Sequence, residues 1–380
     1  MNAEVTGFCE LTIKKIIVTT VPGLEDLLEE EISKLLPGVG VARKGRVIYE
    51  SFSPLGAEDL FRLVAGVTLG EKVYAILSEA SARSLDDVRD AALSALGEIK
   101  LLLGPETCFA VDAEREGEHP FSSVDIARVV GSVVQTIEPP PPVSLDDPDV
   151  VLHAELVGDE FRLAIDLTPF LNLRDRGYRV YIHPSSLNPV VARALCKLAG
   201  VEEGSTFVDP MCGSGTIVIE GLLEAPGAQG FGFDVKLEHV IGARANAEAA
   251  GVDAGFGVAD VRTLPSMLRG GVDAIVTNPP YGIRERAAGG LRKVYESLLR
   301  GAHAVLEEGG RLVLISPLKR LVERAASSLK WLPGSVRKLD MGGLTAFVYV
   351  FVKADCTKRV EPTCTERETS RRAASYRRET

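Results

Sequence analysis

Apolar positions in the first part of the chain follow two alternating periods. Residues 11–20 (LTIKKIIVTT) form a β-branched run of strand length. After the Pro22-Gly23 break, residues 24–36 repeat apolar positions every three or four, the spacing of an amphipathic helix. Strand patterns recur at 46–52, 72–78 and 107–113, with helical patterns at 57–63 and 84–96. Ser122 followed by Asp125 is a capping-box start, which predicts a helix over 123–135. Pro139 to Pro142 break any regular element, and 149–157 with 160–166 read as a hairpin turning at Gly158-Asp159. This alternation predicts a small α+β unit.

Residues 167–186 carry several arginines and no sustained period, as a connector would. From about 187 strands and helices alternate. Strands are expected at 206–209, 230–234, 255–259, 273–277 and 311–316, and helices at 188–199, 214–225, 236–250 and 290–307. Such a pattern predicts an α/β layer with a mostly parallel sheet and helices on both faces. The last strands, 335–341 and 346–353, have no helix between them and should close the sheet antiparallel. The polar, Arg- and Thr-rich tail, 356–380, is expected to be disordered.

Composition changes this picture in three places. The net charge of −10 argues against a nucleic-acid partner unless positive charge is local. Arg174, Arg176 and Arg179, Arg284 and Arg286, or Arg292-Lys293 could supply such patches, or form ordinary solvated surface. The six cysteines include no Cys-x-x-Cys pair, so neither a disulfide framework nor a metal site is expected. No apolar run reaches the roughly 18–20 residues that span a bilayer, and the N-terminus lacks signal-peptide features. A cytoplasmic protein is the expectation.

Candidate chemistry gathers at predicted strand ends. Asp209-Pro-Met-Cys-Gly213-Ser214-Gly215-Thr216 follows a strand and opens a helix, and its glycines permit a tight turn and close approach to a ligand. It is neither a Walker loop nor G-x-G-x-x-G. Asp234 ends the next strand, where an acidic residue commonly accepts ribose hydroxyls, and Asp260 ends the third. The fourth strand runs into Asn278-Pro279-Pro280-Tyr281-Gly282, whose prolines remove N–H donors and leave carbonyl acceptors beside an amide and an aromatic ring. Taken singly, these are a turn, two helix caps and a packing tyrosine. Together they mark the carboxyl rim of an open α/β sheet, where ligands bind.

DPMCGSGT (209–216) and NPPYG (278–282) resemble the class I methyltransferases that act on amino groups of nucleobases, a likeness covering about 183–353. FAVDAEREGEHPFSSVDIARVVGSVV (109–134), followed by VVLHAELVGDEFRLAIDLT (150–168), resembles a THUMP RNA-binding domain. The preceding sixty or so residues resemble the ferredoxin-like segment that accompanies it, and GYRVYIHPSSLNP (177–189) is similar to the linker and cofactor-side motif. The resemblance is closest to the tRNA guanine-N2 methyltransferases acting at guanine 6 of the acceptor stem. Enzymes acting at guanine 10 share the architecture; ribosomal RNA, an adenine or cytosine amine or a protein glutamine amide as acceptor, and a non-catalytic RNA-binding scaffold are the rival readings.

The resemblance implies a ferredoxin-like segment (1–65), a THUMP domain (66–166), a linker (167–186), a seven-stranded, mostly parallel Rossmann-fold methyltransferase domain (187–355) and a tail. It implies S-adenosylmethionine as methyl donor, held by His183, Ser185, Ser186, Leu187, Asp209, Gly213, Ser214, Gly215, Thr216, Asp234, Asp260 and Asn278. Asn278, Pro279 and Tyr281 are the implied catalytic residues, and Arg115, His119, Arg128, Arg176 and Arg284 the RNA contacts. Cys212 lies in the cofactor turn and is read as structural. The expected partner is tRNA, bound by a monomer without metal or membrane.

Overall fold

The computed structural model describes residues 11–169, 171–183, 185–268, 271–282, 290–331 and 333–353. Arg284, Arg286 and the tail 356–380 lie outside them. The first half builds β1 (Ile13–Thr19), α1 (Glu25–Leu35), β2 (Gly38–Arg43), β3 (Arg46–Leu55), α2 (Ala57–Gly66), β4 (Lys72–Ser81), α3 (Leu85–Ser94), α4 (Leu96–Leu102), β5 (Phe109–Glu116), α5 (Ser123–Val134), β6 (Val150–Val157) and β7 (Glu160–Asp166). Its strands form one seven-stranded sheet, in the order β2-β3-β1-β4-β7-β6-β5. The central pairing is antiparallel, β4 on β7, with Ala75 opposite Ile165. The sheet therefore runs unbroken through both of the N-terminal segments that the resemblance distinguishes.

Helix formation here follows local chemistry. Ser84 and Ser122 cap α3 and α5 in reciprocal boxes with Asp87 and Asp125. The helices bury Leu28 and Ile32, Leu60 and Leu63, Val88, Ile126 and Val130 against Ile16, Val18, Val47 and Leu152 of the strands. The helical pattern expected over 84–96 divides at Ala95 into α3 and α4. Strand β2 (GVGVAR) was not foreseen, because an exposed, glycine-rich edge carries little apolar signal.

The second half builds α6 (Pro189–Ala199), β8 (Thr206–Asp209), α7 (Thr216–Glu224), β9 (Gln229–Asp234), α8 (Leu237–Ala250), β10 (Gly255–Val258), α9 (Leu264–Met267), β11 (Val272–Thr277), α10 (Leu291–Val305), β12 (Leu306–Ser316), α11 (Lys319–Ser328), β13 (Pro333–Asp340) and β14 (Thr345–Val352). The sheet order is β10-β9-β8-β11-β12-β14-β13. Strands β8 to β12 are parallel, whereas β14 runs antiparallel to both β12 and β13. The strand order reverses between β8 and β11, which opens a crevice at their carboxyl ends. Helix α11 is an addition to the expected elements. It buries Val322, Ala325 and Ala326 on one face of a short segment that is otherwise mostly charged residues and serines.

A buried carboxylate joins the halves. Glu220 of α7 is fully buried and accepts from Arg193 Nε (2.8 Å), Arg176 Nε (3.2 Å) and the Tyr178 hydroxyl (2.8 Å). Arg176 also donates to Leu173 O and, at 2.7 Å, to Thr68 O of the N-terminal half. A second junction sits at the far edge of the second sheet. Asp340 N donates to Pro22 O at 3.0 Å, and Arg337 pairs with Asp26 and donates to Gly23 O. Gly23 adopts φ +105°, and a Cβ there would lie 2.2 Å from Lys338 O, so only glycine fits.

Removing one partner of a buried ion pair strands the others. Glu220→Ala should therefore cost about 3–5 kcal/mol in urea unfolding. A loss under about 1 kcal/mol would mean that Arg176 and Arg193 find other partners.

Candidate active site

The rim of the second sheet assembles the candidate residues from consecutive strand ends. Asp209 closes β8, Asp234 closes β9, Asp260 follows β10 and Asn278 follows β11. After β8 the chain must turn sharply into α7. Gly213 (φ +52°) and Gly215 (φ +79°) make that turn in the left-handed region. A Cβ on Gly215 would meet Ala243 Cβ at 2.9 Å and the Phe256 ring at 3.0 Å, so this glycine serves close packing of the turn. A Cβ on Gly213 would meet nothing within 4 Å, so its backbone faces open space. Asp234 reaches across and accepts from Gly213 N at 3.1 Å, and from Lys236 N at 2.9 Å.

Asp209 is almost fully buried, and its Oδ1 accepts from Met211 N (3.0 Å) and the Thr277 hydroxyl (2.7 Å). Burial pushes its carboxyl up to about 7, against the two hydrogen bonds, and the Asp234 charge adds to the rise. No cation contributes to that balance. Thr277 immediately precedes Asn278, so this bond ties the glycine turn to the Asn-Pro-Pro-Tyr segment.

The linker enters the rim from the other side. Asn246 of α8 donates from Nδ2 to Tyr181 O and Ser214 O, both at 2.9 Å, and accepts from Tyr181 N at 2.8 Å. Ser186 Oγ accepts from His183 N (2.9 Å) and lies 2.8 Å from Ser214 Oγ, which lies 3.1 Å from Thr216 Oγ1. Ser185 N donates to His183 Nδ1 at 3.0 Å. The His183 ring meets His239 edge-on at 4.3 Å, and His239 stands 3.1 Å from Asp234. His183, Ser185, Ser186 and the glycine turn are thus brought together. Leu187 instead buries its side chain in the core.

At the end of β11, Tyr281 donates its hydroxyl to Asn278 Oδ1. An amide oxygen has two lone pairs, so one acceptor position remains on Asn278. Tyr295 supports the segment from α10, bonding Ser316 Oγ at 2.8 Å and reaching Pro280 O at 3.4 Å. Cys212 is buried, and burial pushes its thiol well above the ordinary value, as suits a packing role.

Two expected residues are already engaged. The Asp260 carboxylate caps the turn at Arg262 N (2.9 Å) and receives the Arg262 guanidinium, which holds it below the usual carboxylate range. Arg176 faces inward, its guanidinium spent on Glu220, Leu173 O and Thr68 O, and so it acts in the junction rather than at a surface. Arg115 folds back on Gly117 O (3.2 Å), His119 lies 2.7 Å from Gly158 O, and Arg128 is exposed beside Asp125. Thr277, Asn246, His239 and Tyr295 were missed, since a threonine or asparagine inside a regular element carries no motif. Among the described residues, Glu114, His153 and Glu155 cluster closely enough for a metal ion, but Glu155 is already ion-paired to Arg162 and Arg46.

Comparison with known proteins agrees with this arrangement. Residues 176–346 match the RMKL-like methyltransferase domain, and 82–166 match the THUMP domain. The chain is 36% identical over 349 residues to a tRNA (guanine(6)-N2)-methyltransferase from Thermus thermophilus, covering 88% of this chain and 98% of that one. It is 30% identical over 377 residues to the enzyme of the same name from Archaeoglobus fulgidus, covering 90% and 92%. Among solved structures, TrmN from Thermus thermophilus superimposes with a TM-score of 0.77 at 34% identity, over 89% of this chain and 99% of that one. Likeness of that extent, in sequence and in fold, settles descent: the chain belongs to the family of THUMP-containing class I tRNA (guanine(6)-N2)-methyltransferases.

Proposed function

We propose that the protein methylates the exocyclic N2 amine of guanine in tRNA, at guanine 6 of the acceptor stem, with S-adenosylmethionine as donor. The observation that carries this reading is Asn278, set at the end of β11 and tied through Thr277 to the glycine turn. The relatives named for guanine 6 match along most of the chain, whereas a guanine-10 dimethyltransferase from Methanothermobacter thermautotrophicus matches 50% of it. That difference favours position 6.

The rim suits the donor. Open backbone at Gly213 offers a cradle, Asp234 offers an acceptor to ribose, and Asp209 is a buried carboxylate with no compensating cation among the groups that shift it. A positively charged ligand would supply that compensation. When bound, S-adenosylmethionine supplies the electrophilic methyl group. His183, Ser185 and Ser186 complete the enclosure from the linker, Ser214 and Thr216 brace it internally, and Asp260 stands on the adenine side with Arg262 fixing it.

A guanine amine is a poor nucleophile because its lone pair is delocalised into the ring. The free acceptor position of Asn278 Oδ1 and the Pro279 carbonyl accept hydrogen bonds from its two N–H groups and turn the lone pair toward the donor. As the N–CH3 bond forms and the S–CH3 bond breaks, one of those protons is released to solvent and the other stays on the methylated nitrogen. Correct placement of the two reactants supplies much of the remaining rate. Tyr281 stacks on the base, which must first leave the stem at a cost of a few kcal/mol. Residues 66–166 position the RNA by its shape, with Arg115, His119 and Arg128 as candidate contacts. No helix among the described residues is long and apolar enough to cross a membrane. We take the chain to act in the cytoplasm as a monomer.

Methyl transfer from labelled S-adenosylmethionine to an unmodified tRNA transcript, mapped by mass spectrometry, should yield N2-methylguanosine at position 6; modification only elsewhere would move the target. Asn278→Ala should lower turnover by at least about a hundredfold, in the range of a lost oriented polar group, with cofactor affinity nearly unchanged. Asp234→Ala should instead weaken cofactor binding in calorimetry, and an unchanged affinity would remove its ribose role. A raised carboxyl pKa contributes stability to the fold at low pH, and that contribution is lost as pH rises through about 7. Cofactor binding favours the ionised form, so affinity should rise from pH 6 to pH 8. Asp209→Asn should flatten that dependence.

A further inference from the structure

The junction between the two halves forms a cleft that the mechanism above does not use. It is lined by Pro22, Gly23 and Glu25 on one side of the N-terminal half, Arg43 at the end of β2 and Lys44 of the turn that follows, and Lys338 and Asp340 of β13. Its volume is about 480 Å³, room for a sugar-phosphate unit but open to solvent. Three cations converge there. Among the described residues none of Arg43, Lys44 and Lys338 forms an ion pair, and Arg43 reaches only the carbonyl of its neighbour Ala42, at 3.5 Å. Of the two acids, Glu25 accepts from Gly23 N (2.9 Å) and Gly45 N (2.7 Å), and Asp340 stands beside Lys338 on β13, so three cations face two carboxylates. The neighbouring Asp26 is taken by Arg337. In a chain of net charge −10, the charged groups of this cleft still leave a local excess of positive charge.

Strand register places this cleft relative to the chemistry. Thr277 is level with Leu314 on β12, so Asn278 is level with Ile315. Ile315 pairs with Val348, and Val348 pairs with Arg337. Lys338 is therefore one residue further along the same rim that carries Asn278. Strands β12 and β14 lie between β11 and its own strand β13, three strand spacings in all. At about 4.8 Å per strand spacing the offset is roughly 14 Å.

We propose that this cleft holds the RNA sugar-phosphate backbone a few nucleotides from the target base, with Arg43, Lys44 and Lys338 neutralising phosphates. The inference rests on the RNA substrate assigned above. Because both halves contribute walls, the site exists only when they are docked, and it links recognition by the N-terminal half to the catalytic rim. Its contacts are electrostatic and read no sequence.

The test compares wild type with the triple variant Arg43→Gln, Lys44→Gln, Lys338→Gln, measuring tRNA transcript binding by anisotropy over a salt series. Three lost phosphate contacts should reduce the slope of log affinity against log salt by about two and weaken binding about tenfold or more near physiological salt. S-adenosylmethionine affinity and thermal unfolding should stay at wild-type values. An unchanged salt slope in a folded variant would overturn the proposal. So would an equal loss in Arg62→Gln, on the exposed face of α2, because the effect would then be one of overall charge. Wild-type protein that binds S-adenosylmethionine but no tRNA would instead overturn the substrate reading itself.

Discussion

The carboxylate of Glu220, with no exposure to solvent, receives two guanidinium groups and a tyrosine hydroxyl. A buried charge of this kind is tolerated only when its partners are close and well oriented. The partners come from different parts of the chain: Arg193 from α6, and Arg176 and Tyr178 from the linker. Holding the linker there fixes the residues on its C-terminal side. Tyr181 reaches Asn246, and His183 and Ser186 arrive beside the glycine turn. It also fixes the N-terminal half, since Arg176 extends to Thr68 O. The cofactor side of the rim is thus tied to the N-terminal sheet through one buried carboxylate, with the Arg337 junction as a second anchor.

The rim itself stores an imbalance. Asp209 and Asp234 stand near each other, and burial rather than a neighbouring cation dominates the state of Asp209. Thr277 partly offsets this with a short, buried hydrogen bond. Such a site is well matched to a cationic ligand, the electrostatic form of preorganisation. The same bond makes the glycine turn and the Asn-Pro-Pro-Tyr segment one unit, so the donor and acceptor ends of the reaction cannot drift independently.

Much of this was legible in the sequence, for identifiable reasons. Buried parallel strands such as Val272–Thr277 are continuous apolar runs, and Asn278-Pro279-Pro280-Tyr281 has few other physical uses at a strand end. Capping boxes at Ser84 and Ser122 mark their helices directly. Strand β2 was silent because an exposed, glycine-rich edge carries little apolar signal, and helix α11 because few apolar residues stand in a short, largely charged segment. Arg176 shows a different limit. An arginine in a polar connector reads as surface, and only the fold reveals that a buried glutamate forty-four residues later in the chain awaits it. Thr277 and Asn246 act through single hydrogen bonds whose partners are remote in sequence, and no local spacing encodes them.

Gly23 offers no side chain, yet its contact with the Lys338 carbonyl is made by backbone on both sides. Backbone surfaces change shape little when residues are exchanged, so the angle between the halves is insulated from most sequence drift. The corollary concerns modularity. An RNA-binding half transplanted from a distant relative would keep its own fold but would sit correctly only if its first turn also presented a glycine to that strand edge. Compatibility between halves is therefore a property of a few backbone atoms, and it could be screened for before any chimera is built.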